Sequence, residues 1–81
     1  MDLLSYSASM WTQACSDRWN LTVDEVLLAE VVCTHGGQYY IVTAVPGMET
    51  EGCKRTHATL AAAQAVALDA LRAAAQILSK V

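Results

Sequence analysis

Two short stretches hold the side chains best suited to chemistry. Cys33-Thr34-His35 and Cys53-Lys54-Arg55-Thr56-His57 each join a thiol to an imidazole. Together they make a Cys2His2 set, a composition that can hold zinc tetrahedrally. Zinc modules, however, usually draw two ligands from a tight CxxC-type knuckle, and neither stretch has that spacing. Unliganded side chains, with Cys33 in the core, are therefore expected, and no metal or other cofactor. The same residues could supply the nucleophile and base of a Cys–His dyad. That chemistry also needs a group to orient the imidazole and donors for an oxyanion, and the sequence offers neither. Asp24, Glu25, Glu30, Glu49 and Glu51 show no paired arrangement suited to acid–base work. Catalysis is not expected.

Lys54, Arg55 and His57 also form a basic cluster where a last helix is expected to begin. A helix N-terminus carries positive partial charge, so the cluster is a candidate anion or RNA contact. A solvated helix entry is the plainer reading of the same residues.

The elements that must position these groups follow from periodicity. Asp2 can cap a first helix, on which Leu3, Leu4, Ala8, Met10, Trp11, Ala14, Cys15 and Trp19 share one broad face. Asn20 would terminate it. Thr22-Val23-Asp24-Glu25 reads as a capping box. The run that follows is rich in β-branched residues and winds poorly as a helix, so a strand is expected, with at most one helical turn near Thr22. Gly36-Gly37 separates this run from Tyr39–Val45, which predicts a hairpin with a two-residue turn. In that register Cys33 faces Tyr40, Val31 faces Val42 and Ala29 faces Ala44, on the core side. Leu28, Glu30, Val32, Tyr39, Ile41 and Thr43 then share the second, partly exposed face, and these six are the expected partner-binding residues. Pro46-Gly47 predicts a type II turn, followed by a short third strand over about residues 48–53.

The last element is an alanine-rich helix, expected from about Thr56 to Lys80. Ala63, Ala67, Ala70 and Ala74 form a stripe between flanking leucines, and such a stripe lets another backbone approach closely. The apolar arc is wide enough to imply burial on more than one side. Tight packing on the hairpin and first helix explains it; a homodimer contact through this helix or the hairpin face is the alternative.

The 81 residues suit one small α+β domain, 54 % apolar but without Phe. A net charge of −3 argues against nonspecific nucleic-acid binding, which depends on neutralising phosphates. Three cysteines without a CxxC suggest reduced thiols, and no apolar run reaches the roughly 18 residues of a membrane span. Asp2 stands where a signal peptide would be basic. The cytoplasm is the expected compartment.

The order helix, strand, strand, a short third strand, helix, with a basic start to the last helix, resembles the double-stranded-RNA-binding domain. His35 before Tyr39, then Ile41-Val42-Thr43-Ala44-Val45-Pro46-Gly47, is similar to that family's loop histidine and second strand. Ala62-Ala63 and Ala67-Leu68 resemble its last helix. The resemblance spans about residues 26–72 and implies that fold, with RNA contacted through Lys54, Arg55 and His57. In style the small acidic chain is also similar to phage-encoded inhibitors of host defence such as anti-CRISPR proteins. The function expected from the residues is that of a non-catalytic inhibitor or adaptor binding a protein partner; the alternative is an RNA-binding module.

Overall fold

The computed structural model describes residues 11–23 and 25–79, the side chains of 77–79 excepted. It is an α+β fold of four strands followed by two helices: β1 (Trp11–Cys15), β2 (Arg18–Val23), β3 (Val26–Cys33), β4 (Tyr39–Thr43), α1 (Glu51–Lys54) and α2 (Leu60–Ser79). The strands form an antiparallel meander in the order β1-β2-β3-β4. α2 lies across β3 and β4, and α1 sits between α2 and β4.

The first correction concerns the expected N-terminal helix. Its first half lies outside the described residues; its second half, Trp11 to Trp19, is β1, a turn at Ser16-Asp17 and the start of β2. Trp19, Leu21 and Val23 alternate with Arg18, Asn20 and Thr22, a period of two that sets one face of β2 against the core. Leu21 is fully buried, and Trp11 and Val23 pack beside it. The hairpin is thus half of a four-stranded sheet. Where a helical turn was expected near Thr22, β2 runs on to Val23 and pairs with Val26 across a two-residue connection. Glu25 in that connection adopts a positive φ of 67°.

The second correction is to the β3–β4 register. Cys33 pairs with Tyr39, Val31 with Ile41 and Ala29 with Thr43, one residue from the expected pairing. The cause is the turn. Gly37 N–H donates to Thr34 O at 3.1 Å, and Thr34 N–H donates to Gln38 O at 2.7 Å, which closes a three-residue loop of His35, Gly36 and Gly37. Only Gly37, at φ 80°, takes the left-handed conformation. A two-residue type I′ turn would need it at both glycines; a type I turn followed by one left-handed residue needs it once. Because side chains alternate, a one-residue change of register moves every β4 side chain to the other face.

The Pro46-Gly47 turn forms as expected, with Met48 N–H on Val45 O at 3.2 Å and Gly47 at φ 91°. Beyond it there is no third strand of the hairpin over 48–53. Thr50 caps a short helix instead, its Oγ accepting from Cys53 N–H at 3.3 Å, and α1 buries Cys53 and follows the fully buried Met48.

α2 starts at Leu60, later than Thr56, because the preceding residues are otherwise engaged. His57 exchanges both backbone hydrogen bonds with Tyr39, each 2.8 Å, and Thr59 Oγ accepts from Ala62 N–H at 3.1 Å as the cap. Ala63, Ala67, Ala70 and Ala74 are all buried in the main core with Val31, Ile41 and Leu71. The stripe is therefore met by this chain's own sheet and by the Pro-Gly turn. A Cβ on Gly47 would lie 3.4 Å from Ala74 Cβ.

Candidate functional site

The register sorts the expected partner-binding residues onto different surfaces. Tyr39, Ile41 and Thr43 lie on the α2 side with Ala29 and Val31. Ile41 is part of the core, and Tyr39 stacks obliquely on Trp19 with ring centroids 5.9 Å apart. Leu28 is also a core residue: the bulge between the Leu21–Ala29 and Thr22–Leu27 pairs turns it inward beside Ala29. Glu30 and Val32 remain on the face opposite α2, where their β4 neighbours are Val42 and Tyr40.

That face has a polar centre and an apolar margin. Arg18 Nε bonds Glu30 Oε1 at 2.9 Å, with the carboxylate side chain 15 % exposed. Asn20 pairs with Glu30 across the β2–β3 ladder, and its Oδ1 is buried without a hydrogen-bond partner among the described residues. A buried acceptor left unpaired costs about 1–3 kcal/mol, and the described residues do not offset that cost here. Around it, Leu27, Tyr40 and Val42 are 41 %, 38 % and 44 % exposed. Large side chains on a solvated sheet face are ordinarily polar, and three apolar ones beside a charged pair are a departure from that pattern.

The groups that could have done chemistry do not assemble. Cys33 is half-buried with its thiol toward Thr34 O, His35 is exposed in the turn, and Cys53 is the buried residue of α1. His57 Nε2 bonds Gly52 O at 2.8 Å. Among the described residues no three His, Cys, Asp or Glu side chains are grouped to hold a metal. Lys54 and Arg55 are exposed at the end of α1, ahead of the α2 N-terminus at which an anion contact was expected. No described helix is long and apolar enough to cross a membrane.

No family model, curated protein or solved structure matches the chain. The site is therefore read from its own groups. The expected register placed Glu30 and Val32 on this face but put Tyr40 and Val42 on the core side and left Leu27 unassigned. The available signal was turn chemistry, since a three-residue loop at His35-Gly36-Gly37 would have exchanged the two faces of β4.

A smaller polar cluster lies at the β1–β2 turn. The Cys15 thiol donates to Asp17 Oδ1 at 3.0 Å. This bond, with a smaller contribution from the charges of Arg18 and His35, holds the Asp17 carboxyl below its ordinary value of 3.8. The bond ties the end of β1 to the turn that follows it.

Proposed function

We propose that the protein is a non-catalytic binding protein, an inhibitor or adaptor, that engages a protein partner through the sheet face opposite α2. The observation that supports this is the exposure of Leu27, Tyr40 and Val42 around the half-buried Arg18–Glu30 pair. Protein interfaces favour this composition, with Tyr and Arg at the centre and aliphatic groups excluding water around them. Asn20 Oδ1, without a hydrogen-bond partner among the described residues, supports the same reading, because a donor from a partner would satisfy it. An anti-defence inhibitor of the phage type is one such role.

A pull-down from a plausible host lysate, with and without nuclease, tests the reading. Partner capture that survives nuclease and is lost in Val42→Asp supports it. Capture unchanged in Val42→Asp and Tyr40→Ser overturns it. Capture abolished by nuclease and by charge reversal of Lys54 and Arg55 favours RNA binding instead.

A further inference from the structure

The outer side of β4 is a strand edge on which pairing has begun and stops. Tyr39 gives both its backbone hydrogen bonds to His57, each 2.8 Å, so its N–H and C=O point away from β3. On the inner side, Thr34 N–H bonds Gln38 O at 2.7 Å and Ala44 N–H bonds Leu28 O at 3.1 Å. Inward and outward groups alternate along an antiparallel strand, and β4 has no bulge against β3. Tyr40 and Val42 therefore bond β3, while Ile41 and Thr43 direct their N–H and C=O groups outward. The described residues give those outward groups no backbone partner. Continuing the His57 pairing would take residues that instead cap and form α1.

An open cleft of about 300 Å³ lies there, lined by Tyr40, Ile41, Thr43, Glu49, Cys53 and Lys54. Ile41 and Cys53 are buried, whereas Glu49 and Lys54 are exposed. One acid and one base give the cleft no net charge to hold a polyanion. What it presents is a short run of backbone donors and acceptors at strand spacing, and the complement of that is an extended polypeptide. We propose that the β4 edge from Ile41 to Thr43 takes an extended segment of a partner protein as an added antiparallel strand, continuing the pairing that His57 starts. This goes beyond the sheet-face reading and rests on different groups, backbone amides and not the Tyr40 and Val42 side chains.

The test uses the full chain and peptides selected against it from a random library displayed on phage. In the free protein the Thr43 amide exchanges with solvent faster than the amides of Tyr40 and Val42. A selected peptide slows Thr43 exchange, and N-methylation of that peptide's central residue removes binding. Thr43→Pro deletes one outward N–H, a change that edge strands tolerate, and weakens the peptide roughly tenfold while Val42→Asp leaves it bound. Slow exchange of Thr43 in the free monomer overturns the proposal, as does a library that yields no peptide sensitive to N-methylation. A dimer in solution with Thr43 protected only in the dimer would assign the edge to a second copy and also overturn it.

Discussion

Glu25 carries a left-handed backbone at φ 67° in the two-residue β2–β3 connection, a conformation that glycine adopts without steric cost. A Cβ there costs about 1 kcal/mol or more. Glycine returns part of that gain through its freer unfolded chain. Glu25→Gly is accordingly expected to raise stability by about 0.5–1 kcal/mol, read as a higher urea midpoint at unchanged slope. Asp17 makes a pH-dependent contribution of the opposite kind. Its folded carboxyl titrates below the ordinary value of 3.8, chiefly because the Cys15 thiol donates to it. The folded state thus binds that proton less readily than the unfolded chain does. The contribution is present above the unfolded value and is lost as the pH falls through the folded one. Asp17→Asn should lower the neutral plateau of a stability-against-pH curve slightly and flatten its acid limb below pH 3.8, so that the two curves converge at low pH.

At the scale of elements, α1 meets α2 closely at Gly52. A Cβ added to Gly52 would stand 2.9 Å from Val66 Cγ1, closer than two carbons approach without displacement. Gly52→Ala is expected to cost about 1–3 kcal/mol, and Val66→Ala in the same chain to recover part of it, giving a coupling visible in a double-mutant cycle. Legibility in the sequence divides along the same elements. α2 and the Pro46-Gly47 turn were readable because alanine propensity and positive-φ chemistry are local. The β1 and β2 strands were not, because Trp11, Cys15 and Trp19 also fit a helical face, and only pairing with β3 decides between the periods. The Thr50 cap of α1 looked like strand because Met48–Cys53 has no internal periodicity. For the face opposite α2, the expected register placed Glu30 and Val32 there but put Tyr40 and Val42 on the core side. Strand identity is local, but which face a strand shows depends on a loop whose length two glycines leave ambiguous.

At the scale of the whole molecule, the register makes neighbouring residues opposite in consequence. Ile41 is 8 % exposed and belongs to the core, whereas Val42 is 44 % exposed. Ile41→Asp places an unpaired charge under α2 and should cost about 3–5 kcal/mol, a large part of the total stability of a domain this size. Val42→Asp should change stability by less than about 0.5 kcal/mol. Thermal melts of the two variants measure this directly, and equal losses would contradict the pairing of Val31 with Ile41.

The His35-Gly36-Gly37 loop therefore acts as a parity setting. Its residue count, odd in this chain, determines which half of β4 is interior and which is displayed. Removing Gly36 would make the count even and present Tyr39, Ile41 and Thr43 outward without altering a single strand residue. A lineage could exchange its displayed chemistry for its buried chemistry by one codon of loop length. Strand-by-strand substitution would meet the core at every step.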